Sequence, residues 1–404
     1  MKLLHLFLFT FLLYPLMAQS QPQSSCEIAK FLEENQLYKV APYDSRIQYT
    51  GRIDKSNRFA YRFSHAGISI RAAFEGTSLI AHFTEYGNGS KSGTNYFNII
   101  IDGQLQEKPL QLSPKRSMYT LAENLRDTIH TIELFKRTES QVGAVAFHGF
   151  CLEMGKELRH SHVQPNLKIE FIGNSITAGY GNNVAFSEED LKTRSGFNSI
   201  NENNYMAYGA ITARNLKAQY SCIAYSGRGL CQNNTGSTKG TVPEIYNRIF
   251  PDSARQLWTE ADRRMFAPNY IVINLGSNDF YAEATHKRKK YIVKRDTFVK
   301  TYIDFVEQLR SYYPQATIIC TVGVMMSDDY PKGAQQWTRI QEYVQAVRQH
   351  FADKGDTKVL YLNLGQQSAP YGEDWHPSIA THQKMAERLT EFIVRDMLAH
   401  KVPR

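Results

Sequence analysis

The sequence has only five cysteines among 404 residues, and none of them lies in a C-x-x-C pair or in a Cys/His spacing typical of metal sites. It also lacks the glycine-rich loops that bind nucleotide phosphates, of either the Walker or the dinucleotide type. Internal repeats and low-complexity tracts are absent as well. These absences argue against a metal-dependent or nucleotide-binding protein, and we expect no metal and no cofactor.

A long apolar stretch occurs only at the amino terminus, where Leu3 to Met17 follows Met1-Lys2. At about 15 residues it is shorter than the roughly 20 that span a bilayer. We therefore interpret residues 1–18 as a secretory signal peptide, with a retained anchor as the alternative. The protein is then expected to be exported, to the periplasm or the extracellular space, and to keep no integral membrane segment after cleavage.

Export bears on the cysteines, because an odd number leaves at least one thiol unpaired. Cys26 and Cys151 would join the two ends of the front half of the chain, whereas Cys222 and Cys231 would close a short loop. Sequence spacing decides neither pairing.

Basic residues exceed acidic ones by 47 to 39, and part of the excess lies in residues 286–290 and in Lys294-Arg295. Such a run usually forms an ordinary solvated surface, which we favour over attraction to an acidic polysaccharide. Nucleic acid is not expected as a partner of an exported protein. The hydrophobic content of 42% and the charged content of 21% are typical of a globular chain.

Residues 49–152 have the pattern of an all-β domain. Short alternating runs of apolar and polar residues recur between turn signals such as Glu75-Gly76-Thr77 and Asp102-Gly103. That rhythm predicts a two-sheet β-sandwich of jelly-roll type. We assign the sandwich to residues 26–155 and a linker to residues 156–166.

Strand and helix patterns alternate over residues 167–400. The strand candidates are apolar runs bounded by turns, namely Lys168 to Ile172, Ala218 to Tyr225, Tyr270 to Leu275, Ala316 to Val322 and Lys358 to Leu362. Helical patterns lie between them, as in residues 297–312, where apolar residues recur at three- and four-residue steps. Five strands with intervening helices predict a parallel sheet covered on both faces, that is, an α/β fold.

Gly173-Asn174-Ser175-Ile176-Thr177 directly follows the first of these strand candidates. This order places the Ser175 hydroxyl at the carboxyl end of a strand and at the start of a helix. In open α/β sheets this edge is where ligands bind and chemistry occurs. Ser175 is therefore the candidate nucleophile.

A base for this serine is found in Asp374-Trp375-His376-Pro377. The His376 imidazole can accept a proton near neutral pH and return it to a leaving group. Asp374 is expected to hold the ring in one tautomer through Nδ1–H, as in a Ser-His-Asp triad. Trp375, beside the base, is a candidate sugar-stacking residue, although a packing role is nearly as plausible.

An ester-cleaving serine also needs donors for the oxyanion of the transition state. Ser175 supplies its own backbone N–H, and Asn278, at the end of the third strand candidate, offers a side-chain amide. Gly227 follows the second strand candidate and lets the backbone approach closely, and Gly229 competes for that role. Asp279 is expected to cap a helix.

Five segments together resemble the SGNH (GDSL-type) hydrolase superfamily, and in particular carbohydrate esterase family 2. They are His130 to Glu139, Phe171 to Gly181, Tyr225 to Gly229, Leu275 to Asp279 and Asp374 to Pro377. The resemblance implies a jelly-roll β-sandwich followed by a flavodoxin-like α/β/α hydrolase domain, and it favours Gly227 and Asn278 as oxyanion donors. Asn174 stands where the superfamily usually has aspartate, which bears on loop details rather than on catalysis.

The resemblance further implies a secreted serine esterase that removes O-acetyl groups from polysaccharides such as xylan or glucomannan, through an acetyl-enzyme on Ser175. The alternatives are an esterase of another acetylated glycan, such as peptidoglycan or sialic acid, a lipase-like enzyme, and a degenerate carbohydrate-binding protein. An intact set of Ser175, Asn278 and His376 argues against the last of these. A monomer is favoured.

Overall fold

The fold is that of a computed structural model, which describes residues 25–87, 93–160, 165–194, 196–286 and 289–401. The predicted signal peptide, residues 1–18, lies outside them. A first helix, α1 (Ser25–Glu34), precedes a region of short strands. These strands are β1 (Leu37–Val40), β2 (Gln48–Thr50), β3 (Tyr61–Phe63), β4 (Ser69–Gly76), β5 (Leu79–Glu85), β6 (Tyr96–Ile101), β7 (Gln104–Leu105), β8 (Leu110–Gln111), β9 (Met118–Ala122), β10 (Thr128–Lys136), β11 (Val145–Glu153) and β12 (Leu158–Arg159).

The front strands form two antiparallel sheets packed face to face. One sheet has the order β1-β11-β5-β9, with β3 also paired to β11. The other has the order β12-β4-β10-β6-β7, with β2 on β4 and β8 on β6. Apolar side chains from both sheets, including Phe74, Phe83, Leu134 and Phe147, are fully buried between them. This confirms the predicted β-sandwich.

The second half of the chain contains the remaining strands and helices. The strands are β13 (Lys168–Gly173), β14 (Gln219–Ala224), β15 (Arg248–Phe250), β16 (Ser253–Leu257), β17 (Tyr270–Asn274), β18 (Thr317–Val322) and β19 (Val359–Asn363). The helices are α2 (Ser175–Ala178), α3 (Glu188–Thr193), α4 (Tyr208–Asn215), α5 (Val242–Ile245), α6 (Glu260–Met265), α7 (Ser277–His286), α8 (Arg295–Tyr312), α9 (Gln336–Asp353) and α10 (Ile379–Lys401).

Five of these strands form a parallel sheet with the order β14-β13-β17-β18-β19. Its central strands are buried on both faces because helices cover each side: α8 and α9 pack on one face, and α4 and α10 pack on the other. The order places β13 between β14 and β17, so the loops after these three strands meet at one edge. The predicted α/β fold with a five-stranded parallel sheet is therefore confirmed.

The sandwich and the α/β half share apolar and polar contacts. Phe135 of β10 packs against the rings of Tyr205 and Tyr220, at centroid distances of 5.1 and 5.9 Å. On another part of the interface, the fully buried Arg52 guanidinium lies 4.5 Å from the centre of the Tyr246 ring and 3.9 Å from the Glu170 carboxylate. Loops of the sandwich thus reach residues of the parallel sheet and its helices.

Some local predictions differ from the structure. Helix α1 and strand β1 precede the region recognised as all-β, and residues 158–159, assigned to the linker, pair as β12 with β4. All five cysteines lie in the described part of the chain and are free thiols, so neither Cys26–Cys151 nor Cys222–Cys231 forms a disulfide. Within the described ranges, none of the helices combines the length and the apolar character that crossing a membrane requires.

Candidate active site

Ser175 lies in a tight turn between β13 and the short helix α2, as the sequence predicts. Asn174 caps this helix, since its side-chain oxygen accepts a hydrogen bond from the Ile176 N–H at 3.2 Å. The backbone at Gly173 packs closely against Thr177, so that a Cβ at position 173 would lie 2.0 Å from Thr177 Oγ1. This explains why glycine occupies the position. The Ser175 hydroxyl is therefore fixed at the carboxyl edge of the parallel sheet.

His376 reaches this hydroxyl from the other end of the chain. Its Nε2 lies 2.8 Å from Ser175 Oγ, and its Nδ1 lies 3.0 Å from the backbone carbonyl oxygen of Glu373. A carbonyl oxygen can only accept a hydrogen bond, so Nδ1 carries the proton of the neutral ring. The lone pair of Nε2 then faces the serine hydroxyl, as a general base for that serine requires.

The expectation that Asp374 orients His376 through Nδ1–H is wrong in this geometry. Its Oδ2 accepts a hydrogen bond from the Tyr180 hydroxyl at 2.6 Å, and its Oδ1 accepts one from the Gly196 N–H at 2.8 Å. The physical reason is the backbone of Asp374, whose φ of 48° is left-handed and turns the Glu373 carbonyl to the ring position that a triad carboxylate occupies.

Two consecutive left-handed residues make this base turn, residues 373–376, unusual. Trp375 follows Asp374 with a φ of 64°, which is rare for a bulky residue. Contacts from outside the turn hold it: the Trp375 carbonyl accepts from Gln367 Nε2 at 2.7 Å, and the Glu373 carboxylate accepts from Asn201 Nδ2 at 2.6 Å. Such over-determined strain is common at functional sites.

The surroundings of His376 keep its ring neutral. Burial lowers the pKa of His376 to about 4, against the partial opposition of the Glu373 carbonyl and the Asp374 carboxylate. The ring is stacked on Tyr180, with centroids 4.2 Å apart, and Tyr180 is also the residue that donates to Asp374. Asp374 therefore acts on the base indirectly, through Tyr180 and through its charge.

The two predicted oxyanion donors follow the two strands that flank β13, the strand that ends just before Ser175. Gly227, with a left-handed φ of 77°, is in the loop after β14, whereas Asn278 is in the first turn of α7 after β17. Asn278 Nδ2 donates to the Arg228 carbonyl at 2.8 Å, which ties the two loops together across the end of β13. A primary amide carries two N–H donors, and the Arg228 carbonyl uses one of them.

Asp279 has a different role from the predicted helix cap. It is fully buried, and its carboxylate accepts hydrogen bonds from the backbone N–H groups of Leu230, Cys231 and Gln232 at 2.6–2.9 Å. Burial raises its pKa to about 6, although these donors favour the charged form. Asp279 thus fixes the loop that begins with Gly227.

Trp375 is 43% exposed beside the base and contacts Tyr371, with ring centroids 5.2 Å apart and the ring planes tilted at 55°. An exposed aromatic face at the mouth of the site is suited to stacking on a sugar ring, so it stays a candidate substrate contact. Among the residues that the structure describes, no group of three or more His, Cys, Asp or Glu side chains is arranged to hold a metal ion.

Two contributors to the site were missed in the sequence. The Glu373 carbonyl is backbone and leaves no residue-type signal, and Tyr180 is distant from the base turn in sequence. Tyr180 does lie in the segment from Phe171 to Gly181 that supports the family resemblance. The sequence therefore draws attention to Tyr180, but it does not show that Asp374 is its hydrogen-bond partner.

Comparison with known proteins identifies the family of the chain. Residues 49–161 match the family model described as Carbohydrate esterase 2 N-terminal, and residues 171–384 match that of the GDSL-like Lipase/Acylhydrolase family. The structure of a family two carbohydrate esterase from Clostridium thermocellum in complex with cellohexaose is similar, with a TM-score of 0.75 and 35% identity over 87% of this chain and 99% of that one. The chain belongs to carbohydrate esterase family 2. Both the predicted family and the predicted enzyme class, a carbohydrate esterase, are confirmed.

Curated relatives within this family differ in how much of their length the chain spans. The cellulase/esterase CelE of Acetivibrio thermocellus is 37% identical over 346 residues, which are 85% of this chain but only 39% of CelE. An acetylxylan esterase / glucomannan deacetylase of Cellvibrio japonicus is 27% identical over 383 residues, which are 94% of this chain and 97% of that protein.

Proposed function

We propose that this carbohydrate esterase is a serine enzyme that removes O-acetyl groups from polysaccharide, with Ser175 and His376 as its catalytic pair. The observation that carries the proposal is the 2.8 Å contact between Ser175 Oγ and His376 Nε2, with the proton of the ring directed to the Glu373 carbonyl. A hydroxyl next to a neutral imidazole is the arrangement that activates a serine nucleophile.

The proposed reaction has two halves. Ser175 Oγ attacks the acetyl carbonyl carbon while His376 Nε2 takes its proton, and the sugar oxygen leaves with that proton as the tetrahedral intermediate collapses. Water then attacks the acetyl-enzyme, again with His376 as base, and acetate leaves. The N–H groups of Ser175 and Gly227 and the amide of Asn278 stabilise the oxyanion in both halves.

The substrate class is inferred from the relatives and from the exposed aromatic residue beside the base. The Cellvibrio japonicus relative is named for acetylxylan and glucomannan, and the Clostridium thermocellum structure holds cellohexaose. Trp375 would present its face to such a glycan chain. We infer acetylated xylan or glucomannan as the substrate, and export as the location, in keeping with the signal peptide interpreted at residues 1–18.

Acetate release across a panel of acetylated glycans tests this function. We expect release from acetylxylan or acetylated glucomannan without added metal, and unchanged rates after EDTA, because serine and amide donors supply the charge stabilisation. With p-nitrophenyl esters, acetate should be cleaved at least as well as butyrate, and octanoate poorly. Reversible loss of activity in EDTA, or kcat/KM rising steadily to octanoate, would contradict the proposal.

A further inference from the structure

One buried carboxylate of the β-sandwich reaches the loop that carries Gly227. Glu139 ends the segment His130 to Glu139 that supports the family resemblance, yet it has no part in the chemistry described above. Its Oε2 accepts a hydrogen bond from the Ser226 N–H at 2.7 Å, and its Oε1 accepts one from the Ser226 hydroxyl. Glu139 and Ser226 are 87 positions apart, in the two halves of the chain.

This contact acts on the residue that directly precedes the proposed oxyanion donor. Ser226 directly precedes Gly227, and its own N–H belongs to the peptide unit before the one that bears the Gly227 N–H. A carboxylate bonded to the N–H and the hydroxyl of Ser226 therefore holds the residue at which the donor peptide begins. On the other side of Gly227, its carbonyl accepts from the Asn234 N–H at 2.9 Å. The donor is therefore held from both sides, with Glu139 as the anchor that comes from the sandwich.

Glu139 is itself held inside the protein. Its side chain is fully buried, its Oε1 also accepts from Gln141 Nε2 at 2.9 Å, and its own N–H donates to Glu202 Oε2 at 2.9 Å. Arg137, two residues earlier, donates to the carbonyls of Glu202 and Ile200 at 3.2 and 2.8 Å. Burial of a charge costs much free energy unless hydrogen-bond partners compensate for it, and a carboxylate with several such partners is held in one defined geometry.

The electrostatics of the cluster are consistent with a fixed anion. Burial raises the pKa of Glu202 well above its ordinary value, and the neighbouring Glu139 raises it further, so Glu202 keeps its proton. Burial also raises the pKa of Glu139, and the Ser226 donors and the fully buried Lys136 oppose that rise because they favour its charged form. The rise in pKa is larger for Glu202, so of these two carboxyls the one that faces Ser226 carries a negative charge more readily.

We propose that Glu139 is a positioning residue of the esterase, through which the β-sandwich sets the Gly227 N–H for the oxyanion. The inference rests on the proposed serine-esterase function. It assigns to the front domain a part in catalysis that does not require the sandwich to touch substrate.

The test compares Glu139→Ala with a matched interface variant, Glu170→Ala. Glu170 is equally buried, accepts from Ser221 Oγ at 3.1 Å and faces Arg52 of the sandwich, but it does not contact residues 225–229 in the hydrogen bonds of the structure. For folded Glu139→Ala we expect kcat for p-nitrophenyl acetate to fall about 10²-fold with KM changed less than about threefold, because the lost alignment matters mainly in the transition state. Glu170→Ala should lower the melting temperature and keep kcat.

Glu139→Gln is the conservative rescue. Its amide oxygen can accept from the Ser226 N–H and its NH₂ can donate to the Ser226 hydroxyl oxygen, so kcat should return to within about tenfold of wild type.

Should Glu139→Ala not fold, Ser226→Ala removes the hydroxyl contact from the other side, with an expected kcat loss of about three- to tenfold at unchanged KM. A kcat for folded Glu139→Ala, or for Ser226→Ala in its place, that matches wild type would overturn the proposal.

A second readout separates this inference from the proposed function. Diethyl p-nitrophenyl phosphate modifies an activated serine and places a phosphoryl oxygen at the oxyanion position, so its rate of p-nitrophenol release should also fall about 10²-fold in Glu139→Ala. If the wild type released no acetate from any glycan, the proposed function would fail. Equal labelling rates for wild type and Glu139→Ala would instead reject the positioning role alone.

Discussion

Two turns carry the proposed catalytic pair, Ser175 and His376, and they are built differently. The nucleophile turn, residues 173–177, is short-range: Asn174 caps α2 within the turn, and Gly173 makes room for Thr177. The base turn, residues 373–376, has two left-handed residues. It is held by Gln367, eight residues before Trp375, and by Asn201 and Tyr180 from distant parts of the chain. One turn is specified by its own sequence, and the other depends on its surroundings.

The difference explains where the motifs predicted the position of a side chain and where they did not. In the nucleophile turn the residue types determine the geometry, so Ser175 lies where its motif indicates. In the base turn Asp374 has the residue type of a triad carboxylate, but its left-handed backbone directs the Glu373 carbonyl to the ring and its side chain to Tyr180. A motif therefore places a side chain reliably where its own residues set the local backbone, as at Ser175, and less reliably where they do not, as at Asp374.

The largest expected effect is on the pair itself. Ser175→Ala and His376→Ala should each reduce ester hydrolysis by about 10⁴-fold or more, and the double variant should lose little beyond that, because nucleophile and base act as one unit. His382→Asn is the control: His382 is also buried, and its Nδ1 accepts from the Tyr208 N–H at 3.2 Å. It should change the melting temperature and leave kcat nearly intact. Clear turnover by Ser175→Ala would contradict the assignment of Ser175 as the nucleophile.

Asn278→Ala is the next largest change. We expect kcat to fall by about 10²–10³ with a smaller effect on KM, since the amide donor matters most in the transition state. Asn269→Ala serves as control, because Asn269 binds the Lys168 N–H at 2.8 Å at the opposite edge of the sheet. If Asn278 only bridged α7 to Arg228, the variant would melt earlier and keep its kcat when folded.

Asp374→Asn tests the base turn directly. Where a carboxylate orients a triad histidine, its replacement by asparagine lowers kcat about 10⁴-fold. Here the carbonyl of Glu373 orients the ring, and asparagine keeps an oxygen for Tyr180, so we expect a loss of no more than about tenfold. A loss near that of His376→Ala would restore Asp374 to the triad role, and steady-state kinetics on acetate esters measures it.

The smallest expected change is in the pH profile. An ordinary histidine has a pKa of about 6.5, whereas burial lowers the pKa of His376 to about 4. The active form is the neutral ring, so kcat/KM should stay level as pH falls through 6.5 and decline only toward about 4. Asp374→Asn removes a charge that raises the pKa of His376, so its acid limb should move further down. A wild-type limb centred near 6.5 would contradict this electrostatic account.

The strands of the parallel sheet were predictable because each is a continuous apolar run buried on both faces. All five candidates agree with the structure to within one residue at each end, from β13 to β19. The Asp102-Gly103 turn likewise lies between β6 and β7, with both residues left-handed. Short-range chemistry determines these features.

Residues whose partners are far away in sequence were not predictable in the same way. Asp279 is of a residue type that often caps helices. Its carboxylate instead accepts hydrogen bonds from residues 230–232, about 50 positions away along the chain. Glu139 bonds Ser226 across the two halves of the chain. Their roles follow from how the two halves pack, which no local pattern of residue types encodes.

The most direct test of the account is to trap the acetyl-enzyme. The protein is mixed with p-nitrophenyl acetate, quenched in acid within the first turnovers, digested and analysed by mass spectrometry. The account predicts one acetyl group on the peptide that contains Ser175, absent from Ser175→Ala treated in parallel. Acetylation at another residue, persisting in Ser175→Ala together with turnover, would contradict it.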